Sequence, residues 1–228
     1  MPSRRSASDT LARRLSAVLC LAMLVGLGWG LHRWTAGFEI WTFEGRRQLQ
    51  LQRGELRAGP VTMLGIDGAA PQLWRDSGSA PAAYLVDFIY TRCTSVCRAL
   101  GSEYQQMQSE LDALPATDPA RDAAHLVSIS FDVAHDDPAS LARYAARLRV
   151  NPRWWTLAVP ATSGAAHALL QSLGVVVVPD GQGGFVHNGA IHLLDERGQL
   201  LGTYEFEQWL QALAAARELA ATRREASR

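Results

Sequence analysis

The hydrophobic pattern begins with an uncharged run near the N-terminus, from Leu15 to Leu31. As a helix, this run spans about 26 Å, slightly less than the ~30 Å hydrocarbon core of a membrane. Arginines outnumber acids in the preceding residues, so the positive-inside rule places residues 1–14 in the cytoplasm. We predict one transmembrane anchor over residues 15–32. A cleaved signal peptide and a buried core helix are the alternatives that the run leaves open.

The residues after the anchor show no strong hydrophobic period, and we predict a tether over 33–58 with some helical character. A folded domain is expected over 59–222. It should begin with a hairpin, because apolar residues at 61–66 and 73–74 flank the turn dipeptide Asp67-Gly68. The Arg- and Ser-containing tail, 223–228, is expected to be disordered.

Most of this domain alternates dense apolar runs, typical of buried strands, with amphipathic stretches typical of helices. Local signals agree, since Asp137-Pro138 marks a helix start and Gly174 a helix end. The pattern predicts an α/β domain with a central mixed sheet flanked by helices. The elements expected after the hairpin are strand 83–90, helix 95–114, strand 125–131, helix 138–150, strand 154–159, helix 162–173, a loop over 175–184, strands 190–194 and 200–204, and helix 206–221.

Composition and charge narrow the function classes. The chain has 22 basic and 22 acidic residues, so a basic nucleic-acid surface receives no support. All the basic residues are arginine, which excludes a P-loop lysine and a Schiff-base lysine. Three cysteines are too few for a four-cysteine zinc site or a disulfide-dense scaffold.

The cysteines divide into one apolar residue in the predicted anchor, Cys20, and one pair, Cys93 and Cys97. The pair stands where the first buried strand gives way to a helix. A helix N-terminus lowers the pKa of a thiol, and the flanking Arg92 and Arg98 favour the thiolate as well. In an exported domain such a pair can exchange disulfides or bind a metal, and its spacing does not choose between the two.

A third ligand would favour a metal, because two thiolates and an imidazole suit Cu(I) or zinc. His187 follows a Gly-rich loop and could close onto the pair, while His135 lies in a polar loop after the second strand. His187 and His192 are five residues apart, so in a regular strand they would point to opposite faces. Spacing alone leaves the choice of histidine open.

Three separated blocks of the chain resemble the Sco/SenC family. They run from Val86 to Cys97, from Val127 to Asp136, and from Phe185-Val-His187 into Ile191 to Gly198. The similarity extends roughly from Gly59 to Leu213 and keeps the order and spacing of the blocks.

The resemblance implies a thioredoxin-like fold with an N-terminal hairpin extension, preceded by one transmembrane helix. It implies a membrane-anchored, extracytoplasmic copper chaperone that assists assembly of the binuclear copper centre of cytochrome c oxidase. Copper, as Cu(I) and also as Cu(II), would be held by Cys93, Cys97 and His187. The matching acid Asp132 would support the site without binding the metal. The implied partners are the copper-centre subunit of the oxidase and other copper chaperones.

The chain departs from the family pattern at three positions. Thr94 and Arg98 replace prolines that follow the two cysteines, and Val186 replaces an aspartate before the histidine. Loss of a carboxylate partner of a metal-binding imidazole commonly weakens metal affinity ~10–100-fold. A thiol–disulfide oxidoreductase using Cys93 and Cys97, or a redox or copper sensor, therefore remains an alternative. A metallochaperone of this kind is not an enzyme, whereas the oxidoreductase would be.

The short N-terminus favours a bacterial inner membrane, with the soluble domain on the periplasmic side. Only about 14 residues precede the predicted anchor, which is short for a mitochondrial transit peptide.

Overall fold

The computed structural model describes residues 7–35, 42–71, 73–74, 83–93, 96–122, 124–187 and 189–226. Within these ranges, the side chains of 7–12, 43, 96–100 and 226 lie outside the description. The chain forms two units, Met1–Gln50 and Leu51–Arg228.

The first unit is dominated by helix α1 (Ala7–Trp34). Its segment Arg13–Trp34, of 22 residues, is long and apolar enough to cross a membrane. A signal sequence near the N-terminus can contain an apolar segment of the same length and composition. Helix α2 (Phe43–Gln52) lies where the tether was expected to have helical character.

The second unit is built on a six-stranded mixed sheet. Its strands are β1 (Met63–Gly65), β2 (Ala83–Ile89), β3 (Ala124–Ser130), β4 (Trp155–Pro160), β7 (Ala190–Asp195) and β8 (Leu200–Glu205). Their spatial order is β1-β4-β3-β2-β7-β8. The three strands β2, β3 and β4 run parallel, and the outer strands pair antiparallel. Every residue of β2 is buried, as expected for a central strand covered on both faces.

Helices cover both faces of this sheet. The bounds are α3 (Val96–Asp112), α4 (Pro138–Leu148), α5 (Ser163–Ser172) and α6 (Trp209–Ala226), with short 3₁₀ turns at Pro119–Asp122 and Phe206–Gln208. One core cluster joins α3, α4 and α6 to the sheet, and the other joins α5. The side chain of Asp137 caps α4, as predicted, by accepting the Ser140 N–H. Gly174 follows α5 with φ of 64°, which glycine adopts without steric cost.

The predicted N-terminal hairpin is wrong. Asp67-Gly68 does form a turn, with the Gly68 N–H bonded to the Gly65 carbonyl, but β1 pairs with the edge strand β4. Leu73 and Trp74 are not in a strand. Trp74 has φ of 36°, which a bulky residue does not adopt in a strand. Both side chains are buried in the core cluster that joins α5 to the sheet. Their apolar character therefore reflects a packed loop.

Two further boundaries differ from the sequence prediction. Within the predicted loop 175–184 lies strand β5 (Val177–Pro179), which pairs antiparallel with β6 (Phe185–His187) in a separate two-stranded sheet. Helix α6 continues to Ala226, so the tail predicted to be disordered from residue 223 begins as helix.

Candidate metal centre

The cysteine pair belongs to the link between β2 and α3. The chain leaves β2 through a turn over Tyr90–Cys93, which is closed by the Cys93 N–H on the Tyr90 carbonyl at 3.1 Å. We call these four residues the Cys93 turn. Cys93 is half-buried and packs against the core cluster.

Cys97 lies in the first turn of α3, so the predicted strand-to-helix junction is confirmed for the backbone. The side chains of Cys97 and Arg98, and all of Thr94, lie outside the described residues. Their parts in metal binding and in thiolate stabilisation remain predictions.

His187 reaches the same end of the sheet through an aromatic cluster. Its ring lies 5.2 Å from Phe131 and 6.3 Å from Tyr90, measured between ring centroids. Phe185 completes the cluster at 5.2 Å from both rings, and its N–H donates to the Tyr90 hydroxyl at 3.4 Å. Because Tyr90 begins the Cys93 turn, the cluster brings the β5–β6 hairpin with His187 to the carboxyl end of β2.

Arg92 forms a salt bridge with the carboxylate of Asp132. Its guanidinium donates to Asp132 at 2.8 Å, and His135 Nδ1 lies 2.8 Å from the other carboxylate oxygen. His135 Nδ1 is also 3.0 Å from the Arg92 guanidinium. Burial alone would raise the pKa of Asp132, but the hydrogen bonds and charges of Arg92 and His135 outweigh it and lower that pKa. Asp132 is thus a charged group bonded to Arg92 of the Cys93 turn, and its supporting role at a metal site stays a prediction.

Asp136 also contacts the Cys93 turn, and the sequence pattern predicts no role for it. It is buried, and its carboxylate accepts the Thr91 N–H at 2.8 Å and the Thr91 hydroxyl at 2.5 Å. The Ser130 hydroxyl donates to it at 2.6 Å. The spacing of Asp132 and Asp136 just after a buried strand was the available signal, because both carboxylates then lie beside the neighbouring strand end.

The remaining histidines of the domain have other surroundings. His125 is paired with Thr156 at 2.7 Å, and burial lowers its pKa to about 4. His192 is fully buried in β7, next to the Val86 carbonyl and Phe88. His167 is exposed on α5. Of the two candidates, His187 joins the aromatic cluster, and His135 joins Arg92 and Asp132.

Asp87 is a further buried acid, and it lies on the strand that leads to Cys93. It is 1% exposed, and neither carboxyl oxygen has a hydrogen-bond partner among the described residues. Burial raises its pKa to about 7, and the neighbouring Ser128 hydroxyl offsets only part of that effect. On the same face, the Tyr104 hydroxyl is also buried without a partner among the described residues.

The donor set suits a soft metal. A thiol on the Cys93 turn, a second thiol in the first turn of α3 and an imidazole on β6 are the types that Cu(I) accepts. Among the described residues, no three His, Cys, Asp or Glu are gathered as a preformed metal site. The thiol of Cys97, the third ligand predicted beside Cys93 and His187, lies outside the described side chains, so the three-ligand site stays a prediction.

Comparisons with known proteins agree with this architecture. A family model described as SCO1/SenC matches residues 73–222. The SCO1 protein homolog of Bacillus subtilis (strain 168) is 25% identical over 147 residues, which are 64% of this chain and 72% of the relative.

Two solved structures share the fold. Bradyrhizobium japonicum ScoI with copper bound has a TM-score of 0.57 and 21% identity, covering 72% of this chain and 99% of that chain. BsSco, a member of the Sco family of cytochrome c oxidase assembly proteins in which a disulfide switch was identified, has a TM-score of 0.59 and 18% identity. It covers 73% of this chain and 95% of that chain. Likeness at these identities establishes the thioredoxin-like fold that the sequence predicted.

The family model spans five of the six sheet strands, from β2 to β8, together with the Cys93 turn and the His187 hairpin, and it covers well over half of the chain. This protein therefore belongs to the SCO1/SenC family.

Proposed function

We propose that this protein is a membrane-anchored copper chaperone that assists assembly of the binuclear copper centre of cytochrome c oxidase. Copper is its cargo, held by Cys93, Cys97 and His187. Its partners are the copper-centre subunit of the oxidase and other copper chaperones. Family membership supports the proposal, and so do the copper-bound ScoI structure and the oxidase-assembly role of the Sco family named for BsSco.

One observation carries the ligand assignment. The aromatic cluster of Tyr90, Phe131, Phe185 and His187 joins the histidine hairpin to the strand end that bears Cys93. Nearly a hundred residues of chain separate Tyr90 from His187, so the contact of their rings is a property of the fold. Two thiolates prefer Cu(I) over Mg²⁺ or Ca²⁺, and one imidazole permits Cu(II) as well.

The anchor assignment follows from α1. Its apolar segment Arg13–Trp34 fits a single membrane span, and the arginines before it favour a cytoplasmic N-terminus. The soluble domain would then face the periplasm from a bacterial inner membrane. Disulfide chemistry at Cys93 and Cys97 is permitted in that compartment.

Thiol–disulfide exchange is the second candidate function, and Val186 is the observation that favours it. Val186 is 66% exposed, so the position before His187 offers an apolar side chain where a carboxylate would strengthen the imidazole as a ligand. In this second function the Cys93 thiolate attacks a disulfide of an exported protein, which forms a mixed disulfide with Cys93 and releases one target thiolate. Cys97 then displaces the target thiolate and forms the Cys93–Cys97 disulfide.

Anaerobic Cu(I) titration of the full-length chain in detergent, against a chromophoric chelator, tests the first function. We expect one Cu(I) per reduced chain, with affinity ~10–100-fold or more weaker in His187→Ala. His167→Ala is the matched control, because that exposed histidine lies on α5, and it should leave the affinity unchanged. Equal affinity of the wild type and His187→Ala would contradict the ligand assignment.

A further inference from the structure

The Cys93 turn is held by the buried carboxylate of Asp136. Both side-chain oxygens of Asp136 are used, one by the Thr91 hydroxyl and the other by the Thr91 N–H and the Ser130 hydroxyl. Asp136 is only 4% exposed. A buried carboxylate is tolerated when such donors replace its water shell, and here they come from two different strand ends.

The loop that carries Asp136 is itself closed. The N–H groups of His135 and Asp136 both donate to the Asp132 carbonyl, at 2.9 and 2.8 Å. The Ser130 hydroxyl accepts the Asp132 N–H at 3.3 Å while it donates to Asp136. The two carboxylates of this loop therefore face the Cys93 turn from a rigid base, with Asp136 on Thr91 and Asp132 on Arg92.

The two carboxylates differ in what they hold. Asp132 holds the side chain of Arg92, which is 44% exposed and has a long flexible stem. Asp136 holds the backbone N–H of Thr91, two residues before Cys93. A bond to the backbone restricts the path of the chain directly, whereas a bond to a flexible side chain leaves the backbone freer.

We propose that Asp136 is a positioning residue, which sets the Cys93 thiol for its chemistry by clamping Thr91 to the end of β3. This inference rests on the proposed function of Cys93 and deepens it. Asp136 acts through the Cys93 turn and touches neither the cargo nor a target.

The test compares full-length variants in detergent. Asp136→Ala removes the clamp, Thr91→Val removes one of its donors, and Thr91→Ser keeps both donors. Asp137→Ala is the matched control, because this neighbouring carboxylate caps α4 through Ser140. The first readout is Cu(I) affinity, as above. The second is the equilibrium constant for forming the Cys93–Cys97 disulfide from two thiols and oxidised glutathione, which yields two reduced glutathiones.

We expect Asp136→Ala to lower both the Cu(I) affinity and the equilibrium constant for disulfide formation by ~10-fold or more. Loss of a residue that supports a metal ligand has an effect of this size at metal sites. Thr91→Val should lie between Asp136→Ala and the wild type, and Thr91→Ser should match the wild type. Asp137→Ala should lower the urea midpoint and leave both equilibria unchanged. If Asp136→Ala does not fold, the Thr91 pair decides, and equal values for Thr91→Val and Thr91→Ser overturn the proposal.

The two readouts separate the proposal from the function on which it rests. A wild type that binds Cu(I) no better than Cys93→Ser overturns the copper function. The equilibrium constant for disulfide formation then still tests whether Asp136 positions Cys93. Disulfide constants within twofold for Asp136→Ala and wild type overturn the positioning role, and so do equal losses in Asp136→Ala and Asp137→Ala.

Discussion

Replacing Asp87 with asparagine should stabilise the protein at neutral and alkaline pH. Asp87 lies in the middle of β2, fully buried, with its pKa raised to about 7 by burial. In the unfolded chain the same carboxyl ionises near its ordinary pKa of ~3.9. Folding therefore retains a proton that the unfolded chain releases, and the contribution of Asp87 to stability falls as pH rises from about 4 to about 7.

The size of the effect follows from the two pKa values. They differ by about 3 units, and each unit corresponds to ~1.4 kcal/mol, so ionisation destabilises the fold by up to ~4 kcal/mol above pH 7. Asparagine has the same shape and does not ionise, so Asp87→Asn avoids this penalty. Near pH 4, where Asp87 is protonated in the folded state, the two proteins should have similar stability.

Urea unfolding of the full-length chain in detergent, at pH values from 4 to 8, measures the difference. Fluorescence reports on the domain, because Trp155 is buried on the same face of the sheet, where its indole N–H donates to Ser128. Asp67→Asn, at an exposed turn, controls for the loss of one negative charge. A stability difference between Asp87→Asn and wild type that stays constant from pH 4 to pH 8 would show that burial does not raise the pKa of Asp87.

Three further predictions concern a buried histidine, the aromatic cluster and the anchor. Burial lowers the pKa of His125 to about 4, so protonation of this histidine in the unfolded chain should lower stability by ~1–3 kcal/mol as pH falls from ~6.5 to 4, against the opposite contribution of Asp87. Urea unfolding should therefore show His125→Gln gaining stability relative to wild type over that range, and a constant difference would contradict the prediction. Tyr90→Ala should lower the free energy of unfolding by ~3–5 kcal/mol and speed hydrogen exchange of the His187 amide. Unchanged exchange would contradict the packing of the β5–β6 hairpin on the Cys93 turn. Alkaline phosphatase fused after Gln50 should be active in the bacterial periplasm, and inactivity would contradict the predicted orientation.

The parts of the fold that the sequence predicted are those with local causes. β2 is a dense apolar run, and α4 starts at Asp137 with Pro138 in its first turn. The error at Leu73 and Trp74 has a non-local cause, because β1 found a partner in β4, almost a hundred residues away. An apolar pair in a buried loop has the same pattern as an apolar pair in a short strand.

The site divides in the same way. The place of Cys93 and Cys97 at a strand-to-helix junction followed from local patterns, and the junction is present. The choice of His187 over His135 came only from family resemblance, since spacing does not tell which loop packs on Tyr90. The clamp by Asp136 was missed because its partners, Thr91 and Ser130, lie at the ends of two different strands. Parallel pairing of β2 with β3 brings those ends together.

In the function that we propose, Cys93, Cys97 and His187 together hold copper. X-ray absorption spectroscopy of the full-length, Cu(I)-loaded chain tests it most directly, because sulfur and nitrogen ligands scatter differently. We predict two sulfur ligands and one nitrogen ligand in the wild type, and loss of the nitrogen in His187→Ala while His167→Ala keeps it. A wild-type copper site with sulfur ligands alone, or one that His187→Ala leaves unchanged, would contradict His187 as a copper ligand.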